Sequence, residues 1–256
     1  MRDESIIQSI EKASVILKLF SKTEPMLTLQ DIHAKTGYTK TTALRFCNTL
    51  CKIGFLEKVY DGKVPYYRLG MELFRIGNQV IQSIDFTAKA RKYLDKISKK
   101  LGDNSYVFIE RNNQAYCIDT VKGEYFIQTN TTHIGDVLPL NRGGGPLAIL
   151  AYMKPIKRKN VISLLGLENE EIKILYERLA KIKQKGYSLS KNETHQNTAA
   201  VGVPVFNHKG EVVAALSVGG IEMRFREERL PEIVEITKKD RKSTRLNSSH
   251  TQKSRM

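Results

Sequence analysis

Apolar residues recur along this chain in two rhythms. Over residues 5–21, Ile6, Ile10, Ala13, Leu17 and Phe20 follow a 4-3-4-3 spacing, which predicts a helix with one apolar stripe that must pack on the next two helices. Thr28 can cap a short helix over 29–36, with Asp31 three residues on as an imperfect capping box, and Gly37 breaks it. Thr39 caps a second helix that ends before Gly54. On that helix Ala43, Cys47 and Leu50 share one face, flanked by Phe46 and Cys51. Thr41, Arg45, Asn48 and Lys52 lie opposite, with Thr42 and Thr49 beside them. Residues 55–59 and 66–69 then read as strands of a hairpin around Asp61-Gly62. Helix, glycine turn, polar-faced helix and basic hairpin describe a winged helix-turn-helix.

Residues 71–84 are helical again, with Leu73, Ile76, Val80 and Ile84 in a stripe that lacks a local partner; a second copy of the chain would supply one. From Thr87 a further helix carries Ala90, Leu94, Ile97 and Leu101 and ends at Gly102. Strands are expected at 105–110 and 115–121 around an Asn112-Asn113 turn, and at 126–129. A loop rich in glycine and proline leads to a short helix from Pro146, followed by helices at 161–165 and 170–185, the latter closed by Gly186. A hairpin of strands 199–206 and 211–218 comes last. Strands at both ends with helices between predict an antiparallel α+β domain with helices packed on its sheet.

Composition narrows the class. A chain of 256 residues, 41% hydrophobic, suits two domains, and no apolar run is long enough to span a bilayer. The first residues carry acids where an export signal needs a basic start and an apolar block, and three cysteines make no disulfide framework. Both point to a cytoplasmic protein. Cys47 and Cys51 have a spacing that could hold a metal, but further ligands are missing and both face the core, so no metal is expected. The net charge of +15 is uneven: residues 241–256 hold five basic and no acidic side chains, leaving +10 without them. That segment lacks apolar periodicity and interrupts a helix in progress, so it reads as a non-native tail, the rival being a basic arm. Residues 1–84 carry 12 basic against 8 acidic side chains, so an expectation of DNA binding rests on where charge is placed.

Catalysis finds no support. There is no G-x-S-x-G elbow, phosphate-binding loop or dinucleotide turn, and the histidines, at 33, 133, 195, 208 and 250, are scattered. No cofactor is expected. The informative stretch is Asn141-Arg142-Gly143-Gly144-Gly145-Pro146. Glycines let a backbone approach a ligand, Pro146 fits the first position of a helix, and free amides at a helix start attract anions. A small carboxylate is the natural ligand; a merely flexible connection is the alternative.

Both halves resemble the IclR family of bacterial transcription regulators. The resemblance covers residues 5–240 and rests on SIEKASVILKLF, LTLQDIHAKTGYTKTTALRFCNTLCKIGFLEK, YYRLGMELFRIG, LPLNRGGGPLAILAYM, KIKQKGYSLSKNE and AAVGVPVFNHKGEVVAALSVGG. It implies a winged helix-turn-helix over 1–70, a linker and dimerisation helix over 71–86, and a GAF/PAS-like α/β effector domain with an antiparallel sheet over 87–240. It also implies dimers or tetramers on palindromic double-stranded DNA, and small organic acids or aromatic compounds as effectors. By motif, the recognition helix begins at Thr39, and Thr41, Thr42 and Arg45 match its usual residues. The residues expected at DNA are Thr39, Lys40, Thr41, Thr42, Arg45 and Asn48, with Lys58 and Lys63 of the wing on backbone or minor groove. The implied effector pocket is lined by Ile127, Asn130, Leu138, Gly144, Gly145, Ser190, Thr198, Ala200, Ser217 and Gly219. The chain departs from the family pattern at Asn141-Arg142, Leu147, Ser190 and Asn197-Thr198-Ala199-Ala200, and Arg142 would add a positive charge to the pocket.

The expectation is a ligand-responsive DNA-binding regulator and no enzyme. Its rivals are a sensor-like enzyme targeted to DNA, which a turnover assay would reveal, and a constitutive DNA binder, which a saturable ligand effect would exclude.

Overall fold

The computed structural model describes residues 6–62, 64–84, 87–125 and 132–243; the helix side chains of 87–89 and 239–243 fall outside it. The chain divides into two units, residues 1–83 and 84–256.

In the first unit, α1 (Gln8–Leu17), α2 (Leu29–Thr36) and α3 (Lys40–Lys52) precede a small antiparallel sheet of β1 (Leu27–Thr28), β3 (Val64–Leu69) and β2 (Leu56–Asp61), and α4 (Met71–Gln82) comes after it. The capping box is complete. The Thr28 N–H donates to Asp31 Oδ2 at 2.8 Å, and the Asp31 N–H donates to Thr28 Oγ1 at 3.2 Å. Gly37 closes α2 in the left-handed conformation, φ 70°. Thr39 caps α3 through the Thr42 N–H. Ile32, Ala43, Cys47, Leu50, Leu56 and Tyr67 form the core with Ile16 and Leu27. The join between α3 and α4 depends on a close backbone approach: a Cβ at Gly70 would lie 2.2 Å from the Gly54 carbonyl oxygen.

The first helix is shorter than its stripe predicts. It ends at Leu17, and Ile6 and Ile10 are 53% and 65% exposed. Ile16, outside that stripe, is its core residue, while Ala13, Leu17 and Phe20 pack at the edge. Within α1 only Ile16 is buried, with residues 12–15 and Leu17 half-buried and residues 8–11 exposed. In α4 no residue is buried, and Met71, Phe74, Ile76 and Val80 are all exposed.

The second unit runs α5 (Thr87–Leu101), β4 (Asn104–Arg111), β5 (Gln114–Val121), β6 (Val137–Pro139), α6 (Gly144–Tyr152), α7 (Pro155–Ser163), α8 (Asn169–Lys185), β7 (Ser188–Lys191), β8 (Thr198–Phe206), β9 (Val212–Ile221) and α9 (Leu230–Ser243). The strands form one antiparallel six-stranded sheet in the order β6-β5-β4-β9-β8-β7. Helix α6, backed by α8, packs on one face; α5 and α9 pack on the other. Central β4 is therefore buried on both sides from Asn104 to Ile109. Helix α6 is apolar all round because it is enclosed, with every residue from Gly144 to Ala151 buried.

Three strands escape the sequence pattern. β1 has only two residues, β6 three, and β7 turns serines inward: Ser188 and Ser190 are buried while Lys191 is exposed. The expected strand at 126–129 lies outside the described residues. Helix α7 starts at Pro155, well before 161, because a basic run hides its first turns. Helix α6 begins at Gly144 with Gly143 as its cap, so Pro146 is its third residue and not its first. Helix α9 extends to Ser243, three residues into the segment 241–256.

Candidate functional site

The polar face of α3 presents Thr39, Lys40, Thr41, Arg45 and Asn48 to solvent, with Thr42 half-buried. Thr39 Oγ1 donates to Thr42 Oγ1 at 2.9 Å, so these two hydroxyls serve the helix start first. Lys40 and Arg45 have no carboxylate partner among the described residues, whereas Lys35 pairs with Glu24, Arg68 with Glu57 and Arg75 with Glu72. Positive charge left unpaired on one face of a capped helix is what a phosphate or a guanine edge requires. Leu44, 37% exposed beside Arg45, adds an apolar contact that the polar pattern did not single out. On the hairpin, Lys58 Nζ lies 5.7 Å from the Tyr60 ring centre and 6.0 Å from that of Tyr67, which holds the lysine against the strand. Lys63 lies outside the described residues. Burial pushes the Cys47 thiol up to about 12 and holds Cys51 above its ordinary value, so both behave as small apolar groups. Among the described residues no group of His, Cys, Asp and Glu could hold a metal ion.

In the second unit, strand register collects a different set. Ser190 pairs with Ala200, Ala200 with Gly219, and Ser217 with both Gly202 and Tyr106, so their side chains share the α6 face of the sheet. Above them the start of α6 closes a cavity of about 40 Å³, with Tyr106, Phe108, Leu138, Gly144 and Pro146 in its lining. A water needs roughly 10–15 Å³, so the space exceeds what a single water fills. Ser190, Thr198, Ser217 and Thr194 bring hydroxyls to it. Ser217 donates to the Val201 carbonyl at 3.0 Å and Thr198 to the His195 carbonyl at 2.7 Å, which commits their protons and leaves oxygen lone pairs. The Ser190 hydroxyl has no hydrogen bond among the described residues. Neither have the amides of Gly144 and Gly145, the first two of α6. The Gly143 N–H donates to Glu193 Oε2 at 3.2 Å, and Arg178 Nη2 holds the other oxygen of that carboxylate at 2.5 Å. Burial pushes the Tyr106 phenol up to about 12, so it is neutral at physiological pH.

Leu138, Gly144, Ser190, Thr198, Ala200, Ser217 and Gly219 are thus brought together around one cavity. Ile127 and Asn130 lie outside the described residues. Two residues are placed elsewhere. Gly145 is turned into the core, where a Cβ would strike Phe108 Cδ2 at 2.4 Å. Arg142 is exposed and absent from the lining, because the chain turns into the helix only at Gly143, φ 86°. No Lys, Arg or His lines the cavity among the described residues, so its positive character comes from backbone amides alone. Sequence reasoning missed Tyr106, Phe108 and Thr194. The first two were accessible from the alternation of the strand at 105–110, since every second residue faces the side on which the glycine loop returns.

A DNA-reading helix in one unit and a sheet-and-helix cavity in the other define a two-domain regulator. The family model for the bacterial transcriptional regulator IclR C-terminal domain matches residues 78–243, and that for the IclR helix-turn-helix domain matches 9–59. The chain belongs to the IclR family of transcriptional regulators. It is 30% identical to the HTH-type transcriptional regulator KipR of Bacillus subtilis, covering 90% of this chain and 93% of that one. It is 29% identical to the HTH-type transcriptional regulator XynR of Escherichia coli, covering 86% and 88%. The fold matches the IclR of Thermotoga maritima with a TM-score of 0.73 at 24% identity, over 93% and 97% of the two chains. It also matches an IclR homolog from Microbacterium hydrocarbonoxydans complexed with 4-hydroxybenzoate, with a TM-score of 0.78 at 19% identity, over 92% and 97%.

Proposed function

We propose that this regulator senses a small organic acid in the cavity beneath α6 and changes its affinity for a palindromic operator in response. The observation that carries the reading is the uncommitted amide of Gly144, in the cavity lining at the positive end of a buried helix, beside the uncommitted Ser190 hydroxyl. A carboxylate satisfies both donors at once. The aromatic acid bound by the Microbacterium hydrocarbonoxydans homolog supports this class of ligand. With no cation in the lining among the described residues, selectivity rests on size and on hydrogen bonds.

The exposed apolar side of α4 fits a second copy of the chain, and a twofold dimer matches a palindrome of two half-sites. The protein works by binding and not by turnover, as its relatives are regulators, and it works where the chromosome lies, in the cytoplasm. The test is to select an operator from a random duplex pool and titrate it with pyruvate, lactate, benzoate and 4-hydroxybenzoate present. A responding acid should shift affinity about 5- to 150-fold. Unchanged affinity with every acid, alongside a shift with neutral sugars, would overturn the carboxylate reading.

A further inference from the structure

Helix α5 has a charge pattern that effector sensing does not use. Ala90, Leu94, Ile97 and Leu101 bury one side against the sheet. The opposite side carries Lys92, Lys96, Lys99 and Lys100, all exposed. At about 100° per residue these four lie within a strip roughly 100° wide, and they rise about 12 Å along the axis. None has an acidic partner among the described residues. Arg91, off the strip, is paired with Asp119 at 2.7 Å, and Asp95, the one acid of the helix, lies 3.7 Å from Arg91.

The arrangement costs stability in isolation. Lys92 with Lys96, and Lys96 with Lys100, are like charges four apart on a helix, each unfavourable by a few tenths of a kcal/mol. Only Lys99 and Lys100 are offset by the helix dipole, being in the last turn. A polyanion removes that repulsion.

We propose that this lysine strip is a second, sequence-independent contact with the phosphate backbone of DNA, outside the winged helix. The proposal rests on the DNA-binding reading of the first unit. Lysine binds phosphate as a point charge without demanding geometry. The strip exposes no large apolar side chain, whereas the centre of a protein interface is depleted in lysine and enriched in aromatic residues. The partner is therefore a nucleic-acid backbone and not an acidic protein. Lys92 is nine residues beyond Ser83, where the first unit ends, a chain length of at most about 30 Å. That is less than one turn of duplex between half-sites, about 34–36 Å.

The experiment measures the affinity of the full chain for a random-sequence 40-base-pair duplex between 50 and 200 mM salt. In K92Q/K96Q/K99Q/K100Q the slope of log affinity against log salt should flatten by about 2 to 4, since each phosphate contact contributes about 0.9. Affinity at the low-salt end should fall at least tenfold. Lys→Arg at the same four positions should restore both. An equal charge change on α8, K173Q/K181Q/K183Q/K185Q, should leave the slope within 1 of the wild type, about one phosphate contact. A folded α5 variant with the wild-type slope overturns the proposal, and is the result expected if the strip serves an acidic protein. An equal loss in the α8 control also overturns it, because bulk charge would then be the cause. A wild-type chain that binds no duplex would instead sink the DNA-binding reading itself.

Discussion

Gly144 and Gly202 meet backbone to backbone: a Cβ added at Gly202 would lie 2.1 Å from the Gly144 carbonyl oxygen, and one added at Gly144 would lie 2.8 Å from the Val201 carbonyl carbon. Ser188 fastens the contact, its Oγ donating to the Gly144 carbonyl at 2.5 Å and to that of Gly202 at 3.2 Å. The helix start is thereby held against β8 at the height where Gly144 lines the cavity. Gly202→Ala should force the two apart and cost about 1–3 kcal/mol, read as a lowered urea midpoint for the second unit. A midpoint equal to that of the wild type would show that the contact tolerates a methyl group.

Arg45 has no ion-pair partner among the described residues and lies on the exposed face of α3. Arg45→Ala should weaken binding to the selected operator by about 1–3 kcal/mol and relax the preference at one base pair, if the guanidinium grips a guanine. A uniform loss over all sequences, with a flatter salt dependence, would assign it to phosphate instead. Unchanged affinity would remove it from the interface.

The Thr28–Asp31 box gives a pH-dependent term. The Asp31 carboxylate accepts from the Thr28 hydroxyl at 2.7 Å and from its N–H, and both hold its pKa below the ordinary 3.8. A depressed folded pKa means that the stabilisation is complete above the unfolded value and is lost as pH falls through the folded one. Thr28→Ala should therefore cost about 0.5–2 kcal/mol at pH 7, from equilibrium unfolding. The gap between variant and wild type should narrow in acid, below the folded pKa. A gap that widens there contradicts the assignment.

Phe74 is 66% exposed on a helix with no buried residue. If a second copy covers α4, Phe74→Asp should raise the dimer dissociation constant about tenfold or more in sedimentation equilibrium, as an aromatic anchor at an interface would. An unaltered association constant would place the dimer contact elsewhere.

These effects differ in how far the sequence announced them. The recognition helix was readable because its cues are local: Thr39 caps, Gly37 turns, and Ala43, Cys47 and Leu50 sort to one side. The core helices of the second unit were readable for the same reason, as with Ala90, Leu94, Ile97 and Leu101. β7 was not, because its inward residues are serines whose role appears only when Ser188 meets Gly144 and Gly202. Gly144 and Gly145 look equivalent in a run of glycines, yet one lines the cavity and the other packs on Phe108. Arg142 has the charge of a ligand group yet is solvent-facing, since it precedes the Gly143 turn by which the chain enters α6.

Ala200 is a position from which the cavity can be filled, because it lines the space and is paired between Ser190 and Gly219 on the same face of the sheet. Ala200→Leu adds three carbons to a cavity of about 40 Å³. The most direct measurement is operator affinity for wild type and Ala200→Leu, each with and without the acid that gives the largest response. The account predicts a shift of about 5- to 150-fold in the wild type and none in the variant, whose affinity without ligand stays within about twofold of the wild type. A variant that still responds at the same acid concentration would show that the effector is sensed somewhere other than beneath α6.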